Sequence, residues 1–448
     1  MQFIVSLFNQ PSIMAGLMAL IGLIALKKPI QQIISGTLKT IIGFIILQVG
    51  ATAIANTLGV LGPIFQEAFH MQGVIPTNEA VIGLAQKMFG SEMALMMLFG
   101  FIVNLIIARF TPLKYVFLTG HHILFMSGLL AAVLSTAGFK GVELIVVGSL
   151  ILGSTMVLTP ALVQPYYRKV TGNDSVAMGH YNALTYVISA YIGKITGNKE
   201  HSTEDIKVPQ GLSFFRDNTL STAIVMAIIF LITMYSANKS VVLKASGGSD
   251  VFIFAITQAL TFTAGFVVVL QGVRMMLAEI VPAFKGIAEK IVPDAIPALD
   301  CPVIFPFAPN AVIIGFLSSL VGGIIMFLIL PHTGLAVIIP GLIPLFFVGA
   351  AAGVLTNATG GLRGTIIGGI INGAILTLLP ALLLPVMGQL GFANSTFGDA
   401  DFVFTGIVVG YLAKLFTKTG IYALVAILIL IFIIVSIVMK PKKLEVNK

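Results

Sequence analysis

The side chains best suited to chemistry in this chain are two carboxylates, each placed within strongly apolar sequence. Glu79 follows Asn78 in the stretch IPTNEA, and Asp300 ends the stretch IPALD. Burying a carboxylate at the centre of a membrane costs about 2.5–3.5 kcal/mol even on lenient insertion scales. In a cavity, however, a carboxylate can accept hydrogen bonds from ligand hydroxyls or act as a general base. Glu79 and Asp300 are therefore the candidate catalytic residues; the alternative is that each is solvated in an interfacial loop.

Histidines supply further candidates for binding. His121 and His122 begin a helical segment after Thr-Gly, and His180 lies beside Tyr181 in the stretch MGHYNA. Adjacent residues point to different faces of a helix, so at most one of the two neighbouring histidines is expected to face a cavity. None of these residues shows HExxH or Cys/His ligand spacing, so we expect neither a metal nor another cofactor. The single cysteine, Cys301, is interpreted as a small core residue.

The composition identifies the chain as a membrane protein. Of its 448 residues, 57% are hydrophobic and only 9% are charged. A soluble protein of this size needs many more charges on its surface, whereas a helix that crosses a bilayer needs about 20 apolar residues, and such runs recur along the chain. The net charge of +8 is attributed to membrane topology rather than to a nucleic-acid partner. We therefore predict an all-α polytopic protein of the lipid bilayer.

Eleven transmembrane helices are predicted from the apolar runs. They cover residues 12–26, 36–58, 91–109, 116–137, 141–163, 218–236, 250–273, 310–330, 334–358, 363–385 and 419–439. Lys27 and Lys28 follow the first run, whereas a cleavable signal peptide carries its positive charge before the apolar run, so this run is interpreted as a retained helix. With the N-terminus outside and the C-terminus in the cytoplasm, 18 Lys and Arg residues lie inside and six outside, as the positive-inside rule requires.

Four further segments are too short or too polar to be ordinary spans. They are residues 59–90, 176–193, 274–309 and 400–416. Irregular backbone at membrane depth persists only where it is buried in protein or lines a water-filled cavity. We therefore predict re-entrant hairpins at 73–90 and 291–309, and amphipathic helices on the membrane surface at 59–72 and 274–290.

An internal repeat relates the two halves of the sequence. Residues 117–134 align without gaps to residues 338–355, with seven identities in 18 positions. At the same offset of 221 residues, IPTNE falls on IPALD, so that Glu79 corresponds to Asp300. Each half holds five predicted spans, and an odd number inverts the second copy in the membrane. Inverted repeats with broken helices are typical of alternating-access transporters, which bind substrate near the repeat interface.

The repeat also sets the predicted organisation of the chain. The first inverted repeat covers 1–196, a cytoplasmic linker covers 197–217, and the second repeat covers 218–416. A final transmembrane helix and a basic cytoplasmic tail occupy 417–448. In this arrangement Glu79 and Asp300 are expected to face one central cavity from opposite halves.

The sequence resembles the membrane-spanning IIC component of bacterial phosphotransferase systems, in the L-ascorbate branch. The landmarks run in order over nearly the whole chain and include FLTGHH (117–122), MGHYNA (178–183), QGVRMMLAEIVPAFKGI (271–287) and LDCPVIFPFAPNAV (299–312). This resemblance implies an eleven-span homodimer of the bacterial inner membrane, in which each protomer has a dimerising V-motif part and a mobile core that moves as an elevator. It also implies import of a sugar that is phosphorylated by a phosphocysteine on a separate IIB protein, itself charged through IIA, HPr and enzyme I.

The resemblance extends to individual binding residues only in part. The residues that match the family pattern for substrate contact are His121, His180 and Asp300. Ascorbate-type members have Thr-Tyr, Gln and Gln at the positions that are here Asn78-Glu79, Phe125 and Tyr181. His122 completes the predicted substrate-binding set. Because such polar differences discriminate strongly between ligands, the expected substrate is L-ascorbate or a related sugar acid or polyol, with Glu79 setting this chain's own preference.

Two other functions remain open from the sequence. A proton- or sodium-coupled secondary transporter of a small polar solute would use the same scaffold without phosphorylation, with Glu79 as the coupling carboxylate. A non-catalytic channel or sensor is the third hypothesis. In the phosphotransferase hypothesis the chain is a permease that takes part in phosphoryl transfer together with IIB, and Glu79 or Asp300 accepts the proton of the attacking hydroxyl.

Overall fold

The computed structural model describes residues 11–70, 73–206, 218–387 and 395–439, so that parts of the predicted linker (207–217) and tail (440–448) lie outside the described residues. Within the described ranges the chain forms twelve α-helices joined by short strands and turns. The helices are α1 (Pro11–Ala25), α2 (Ile30–Phe69), α3 (Asn78–Phe110), α4 (Gly120–Thr136), α5 (Gly141–Thr171), α6 (Ala183–Thr196), α7 (Asn218–Ser236), α8 (Lys239–Ser246), α9 (Val251–Ile291), α10 (Pro309–Ile329), α11 (Leu342–Leu383) and α12 (Ala400–Val438).

Seven of the described helices are long and apolar enough to cross a membrane. They are α2, α3, α5, α9, α10, α11 and α12, while α4 and α7 are apolar but shorter. The second half of α12 bears many exposed isoleucines, which suits contact with lipid acyl chains. The prediction of an all-helical polytopic membrane protein is confirmed, whereas the count of eleven spans stays a prediction.

Three long helices are interrupted by residues with non-helical backbone. The interruptions are Phe89 in α3 (φ −132°, ψ 19°), Gly361 in α11 (φ 60°, ψ −156°) and Thr417 in α12 (φ 55°, ψ −148°). Each interruption lies just before the start of a predicted span, at 91, 363 and 419 respectively. The apolar pattern therefore located these boundaries even though the helical hydrogen bonding continues across them.

Two predicted surface helices are instead continuations of longer helices. Residues 59–69 continue α2 through Pro63, and residues 274–290 continue α9 through Pro282. The prediction of separate helices there is wrong. A proline removes a single backbone hydrogen bond and kinks a helix without ending it where packing continues beyond it. In α2 that packing is visible, since Phe65 beyond the proline is buried.

In the part of the chain that the structure describes, six short strands form two parallel sheets of three strands each. The strands are β1 (Gly73–Pro76), β2 (Tyr115–Phe117), β3 (Ala177–Met178), β4 (Ile296–Leu299), β5 (Val337–Ile338) and β6 (Ser395–Thr396). Their orders are β5-β1-β6 and β2-β4-β3. The central strand of each sheet comes from one half of the chain, and its two neighbours come from the other half. Extended backbone inside the helical protein thereby has its polar groups paired.

The helices pack in two groups. The outer helix group consists of α1, α2, α7 and α9, in which α9 packs chiefly on α2 and α7. Glycines allow the backbones of α2 and α9 to touch: a Cβ atom on Gly272 would lie 2.4 Å from the Leu47 nitrogen. The sheet-bearing group consists of α3 to α6, α10 to α12 and both sheets, with α11 packed between α10 and α6.

Candidate functional site

Each strand leads into a helical turn, and the starts of these turns converge on one cavity. The helices α3, α4, α6, α11 and α12 follow β1, β2, β3, β5 and β6, and a 3₁₀ helix (Cys301–Phe307) follows β4. The first N–H groups of a helix lack acceptors within the helix and give its start a partial positive charge. Polar backbone and side-chain groups thus come together inside an otherwise apolar protein.

The cavity has a volume of about 480 Å³, within the range of small-molecule binding sites. Its lining consists of Asn78, Glu79, His121, His122, Phe125, His180, Arg274, Ala278, Asp300, Pro302, Ile343, Pro344, Phe347 and Asp399. Seven of the eight predicted substrate-binding residues are among them, and Tyr181 is the exception. Residues that are far apart in the sequence therefore surround a single space, to which both halves of the chain contribute.

Asp300 lies where β4 turns into the 3₁₀ helix. One of its carboxylate oxygens accepts a hydrogen bond from the Cys301 backbone N–H at 2.7 Å. The Nε2 atoms of His121 and His180 lie 3.5 and 3.8 Å from the carboxylate, and about a third of the Asp300 side chain is exposed. The Asp300 carboxylate is thus oriented by its own backbone and remains open to a ligand. Cys301 is buried beneath it and behaves as the core residue that was expected.

Hydrogen bonds fix the orientation of two histidine rings. Nδ1 of His180 lies 3.0 Å from the Asn182 amide nitrogen, and Nδ1 of His122 accepts the Tyr181 backbone N–H at 3.4 Å. An amide nitrogen can only donate, so both Nδ1 atoms are acceptors and the neutral rings carry their protons on Nε2. Both histidines can therefore donate a hydrogen bond from Nε2, and that of His180 faces Asp300.

Both His121 and His122 line the cavity, so the expectation that at most one would do so is wrong. Their ring centroids are 4.6 Å apart, with His121 partly exposed and His122 buried against Phe402. The rule that adjacent residues point to different faces predicts burial for side chains along the length of a helix. These residues occupy the first turn of α4, where the cavity surrounds the end of the helix and meets more than one of its faces.

Asn78 and Glu79 have different surroundings although they are adjacent. Asn78 donates from Nδ2 to the carboxylate of Asp399, and its Oδ1 accepts the Gly398 backbone N–H at 2.9 Å. Asn78 therefore ties α3 to the turn between β6 and α12. Glu79 is buried in the first turn of α3 and lines the cavity. The Asn78 amide is thus engaged by protein groups, whereas the Glu79 carboxylate is available to a ligand in the cavity.

Asp399 was not among the predicted site residues, yet it lies at the centre of the polar network. Its carboxylate accepts hydrogen bonds from Asn78 and from Asn182, the latter at 2.5 Å. None of the matched stretches of the repeat includes this position. In the structure Asp399 stands immediately before α12, as Asn182 stands immediately before α6.

The starts of α6 and α12 cap each other. Asn182 Oδ1 accepts the Ala400 backbone N–H at 2.6 Å. In return, the Asp401 carboxylate accepts the backbone N–H groups of Ala183 and Leu184 at 2.7 and 3.0 Å. Each side chain satisfies donors that the opposite helix leaves open. The two helices, one from each half of the chain, are thereby held together beneath the cavity.

The Tyr181 side chain lies behind the cavity wall rather than in it. Its ring stacks on Phe117 with centroids 4.9 Å apart, and its hydroxyl is 2.9 Å from Thr155 Oγ1. Its contact with the site is the backbone N–H that binds His122. Arg274, which the sequence reasoning did not select, reaches the cavity from α9. It stands in the landmark QGVRMMLAEIVPAFKGI, but the segment had been interpreted as a surface helix.

Among the described residues, two clusters of side chains have ligand atoms close enough to surround a cation. They are His121, His122 and Asp300, and His180, Asp300 and Cys301, with ligand atoms within 4.8 Å of one another. The Nδ1 atoms of His122 and His180 are occupied as acceptors, so a cation at their Nε2 atoms would have to displace protons. The geometry fits a ligand with hydroxyl oxygens better than a metal ion. The absence of a metal stays a prediction.

Comparison with known proteins identifies the family. The family described as the PTS system sugar-specific permease component, EIIC-GAT, matches residues 6–401. The chain belongs to this family of phosphotransferase-system permeases, as the resemblance predicted. The ascorbate-specific PTS system EIIC component of Mycoplasma pneumoniae (strain ATCC 29342 / M129 / Subtype 1) is 27% identical over 415 residues, which cover 80% of this chain. The chain spans 62% of the length of that relative.

Proposed function

We propose that this protein is the permease subunit of a phosphotransferase system for L-ascorbate or a related sugar acid or polyol. In this proposal the substrate is phosphorylated by a phosphocysteine on a separate IIB protein, which is charged through IIA. The observation that carries the proposal is the cavity in which Asp300, His121 and His180 meet at converging helix starts. Family membership and the ascorbate-specific relative support it.

The lining of the cavity suits a small ligand with many hydroxyl groups. The Nε2 atoms of the histidines donate hydrogen bonds, and the carboxylates of Glu79 and Asp300 accept them. Phe125 and Phe347 supply apolar surface for the carbon skeleton. A cavity that offers both donors and acceptors discriminates between ligands by their hydroxyl pattern, since a missing partner leaves a buried polar group unpaired.

Phosphoryl transfer in this cavity needs one proton acceptor. A substrate hydroxyl oxygen attacks the phosphorus of the phosphocysteine; the new P–O bond forms as the S–P bond breaks, and cysteine leaves as a thiolate. The hydroxyl proton passes to Glu79 or Asp300, both of which line the cavity. The permease contributes mainly position and charge, because phosphoryl transfer requires little covalent chemistry from the protein.

An inverted repeat and an elevator movement form part of the proposal. The near-equal lengths of α2 and α9, which begin 221 residues apart at Ile30 and Val251, support the repeat. The exchange of strands between the halves supports it as well. The sheet-bearing group would be the mobile core, and the outer helix group would be the V-motif part that holds a homodimer in the inner membrane. The repeats 1–196 and 218–416, eleven spans and an outside N-terminus belong to this proposal.

A proton-coupled secondary transporter is the second candidate. The observation in its favour is Glu79, a buried carboxylate facing the cavity at a position where ascorbate-type members have tyrosine. Such intramembrane carboxylates are frequent in proton relays. In this case transport would follow a proton gradient and leave the substrate chemically unchanged.

Phosphoryl transfer from purified, phosphorylated IIB tests the proposal. The purified permease is mixed with labelled ascorbate, a sugar acid or an alditol, and the phosphorylated product is measured. The Asp300→Asn variant serves as the negative control. Substrate-dependent loss of phosphate from IIB in the wild type alone supports the proposal. Saturable binding with no phosphorylated product for any ligand contradicts it.

A further inference from the structure

Among the described residues that line the cavity, Arg274 is the one lysine or arginine. Every other lining residue except Ala278 belongs to the sheet-bearing group, whereas these two lie one helical turn apart on α9 of the outer helix group. Arg274 and the predicted substrate contacts therefore line the same cavity from different helix groups. It is exposed and forms no ion pair with any carboxylate among the described residues.

The charge of the cavity makes this arginine significant. Three carboxylates line the same space, those of Glu79, Asp300 and Asp399. A phosphoryl group carries close to two negative charges at neutral pH, so carboxylates at this density repel it. A neutral polyol meets no such repulsion, and the helix starts offer only partial positive charges. A phosphoryl group that reaches the substrate therefore needs a full positive charge in the cavity wall.

A guanidinium group fits that need better than the other groups present. It stays charged at all physiological pH values and presents parallel N–H donors that match two oxygens of a phosphoryl group. The histidines that meet Asp300 are already directed toward a carboxylate. Arg274 has no such partner among the described residues and is free to bind an incoming oxyanion.

We propose that Arg274 binds the oxygens of the phosphoryl group during its transfer to the substrate; this inference rests on the proposed function. The group moves from the cysteine sulfur to the substrate hydroxyl as described above, and the guanidinium neutralises charge on its non-bridging oxygens in both states. Arg274 thereby offsets the repulsion from Glu79, Asp300 and Asp399. Because it lies on α9, the sheet-bearing group completes the phosphoryl-binding site only when it stands opposite this turn of α9.

The same guanidinium could instead bind an acid group of the substrate, and the experiment separates these two sources of an oxyanion. Purified wild type, Arg274→Gln and Arg274→Lys are compared in two assays. One is the binding of ascorbate and of an uncharged alditol. The other is single-turnover phosphoryl transfer from phosphorylated IIB at saturating substrate. Lys39→Gln is the matched control. Lys39 lies on α2, pairs with Glu279 on α9, the helix that carries Arg274, and is not among the residues that line the cavity.

We expect Arg274→Gln to slow phosphoryl transfer by about 100-fold while the Kd of each ligand changes by less than about threefold. Arg274→Lys should transfer the phosphoryl group at about a tenth of the wild-type rate, because the lysine ammonium keeps the positive charge but lacks the parallel N–H donors of the guanidinium. Lys39→Gln should leave both assays unchanged. If Arg274 had only a structural role, its substitution would change ligand binding and phosphoryl transfer together, and the glutamine and lysine variants would behave alike.

Two results would overturn the role of Arg274. One is an unchanged transfer rate in Arg274→Gln; the other is weaker binding of ascorbate alone, with normal transfer at saturation, which would assign the arginine to the substrate's acid group. Both require a wild type that phosphorylates its ligand. A wild type that binds ligand but never accepts phosphate from IIB would overturn the proposed function, and the role of Arg274 with it.

Discussion

At the residue scale, Glu79 and Asp300 correspond in sequence but differ in what holds them. Asp300 is oriented by the Cys301 N–H and approached by two histidine Nε2 atoms. Glu79 is buried in the first turn of α3, beside an asparagine that is itself bound to Asp399. Asp300 therefore has the surroundings of a substrate-binding carboxylate, whereas Glu79 is a more deeply buried carboxylate in the lining of the same cavity.

Asp300→Asn tests the first of these residues. The amide keeps the size of the side chain and an oxygen that can accept the Cys301 N–H, so the fold should be retained. Loss of a charged acceptor for substrate hydroxyls costs about 1.5–3 kcal/mol, equivalent to roughly 10–150-fold in affinity. Equilibrium binding of labelled ligand measures the effect, and an unchanged thermal midpoint is the control. Wild-type affinity would remove Asp300 from the binding site.

Glu79→Gln tests whether this carboxylate sets the ligand preference. Removal of a negative charge from a cavity that also contains Asp300 and Asp399 should favour an anionic ligand over a neutral one. We expect uptake to fall strongly and the ratio of ascorbate to alditol affinity to rise by about tenfold, since one charge–charge interaction in a partly buried site contributes about 1–2 kcal/mol. Competition binding gives this ratio. An unchanged ratio would show that Glu79 does not contact the ligand.

At the scale of elements, helix starts and helix breaks shape the site. The capping of α6 by Asp401 and of α12 by Asn182 joins the two halves beneath the cavity. The break at Thr417 lies beside a second link, in which Lys418 Nζ and Tyr422 OH both donate to Glu143 at 2.5 Å. This link ties the first turn of α5 to the final span of the chain. We expect the loss of either connection to lower the free energy of unfolding more than it lowers the affinity for the ligand.

Asp401→Asn should destabilise the protein without a large change in ligand affinity. The neutral amide keeps one acceptor oxygen and loses the second acceptor and the favourable charge at the start of α6, a loss of about 1–2 kcal/mol. Thermal unfolding in detergent measures this effect. Asp250→Asn is the matched control, because Asp250 accepts the Ile253 N–H at an exposed helix start and its loss should have a smaller effect. Equal effects of the two substitutions would contradict the role of the buried cap.

The breaks at Gly361 and Thr417 form a second matched pair. They have almost the same backbone angles, yet only one of them is glycine. Thr417→Gly should stabilise the protein by about 1 kcal/mol, since strain of about 1–3 kcal/mol is relieved and glycine's entropy costs part of it. Gly361→Ala should destabilise it, because the new Cβ would lie 2.2 Å from the Asn198 carbonyl oxygen. We expect Thr417→Gly to raise the thermal midpoint of unfolding and Gly361→Ala to lower it. A lower midpoint for Thr417→Gly would show that the backbone at Thr417 is not strained.

At the scale of the whole molecule, two groups of helices meet at the cavity. Movement between them is tested by a short bifunctional thiol reagent that joins cysteines placed at Ala278 of the outer helix group and Pro344 of the sheet-bearing group, both of which line the cavity. We expect this cross-link to abolish uptake. Cysteines at Ser202 and Asn357, which contact each other within the sheet-bearing group, should leave uptake intact when joined. Normal uptake with both links formed would contradict a relative movement of the groups.

The sequence predicted much of the architecture because apolar pattern and polar exceptions are local signals. It identified an all-helical membrane protein, began three predicted spans two residues after the breaks at Phe89, Gly361 and Thr417, and named seven residues of the cavity lining. It missed Asp399, which lies outside the matched stretches of the repeat, and Arg274, whose segment was interpreted as a surface helix. The continuity of α2 and α9 was also missed, since a proline in sequence does not reveal the packing that carries a helix past it.

The exchange of strands between halves could not be read from the sequence either. Strands of two to four residues have no measurable periodicity, and their pairing depends on contacts between segments that are more than 100 residues apart. The short landmarks at these positions, such as MGHYNA, nevertheless marked the turn that carries His180 to the cavity and Asn182 to the carboxylate of Asp399. The sequence therefore predicted the side chains of the site more successfully than it predicted the strands and helices that bring them together.

The central claim is that transport and phosphorylation are coupled. The most direct measurement is the chemical form of labelled ascorbate that accumulates in proteoliposomes containing this protein, with or without phosphorylated IIB enclosed. We predict that internal label accumulates only with phosphorylated IIB, that it is almost entirely sugar phosphate, and that Asp300→Asn abolishes it. Accumulation of unmodified ascorbate driven by a proton or sodium gradient, with no phosphoryl donor present, would contradict it.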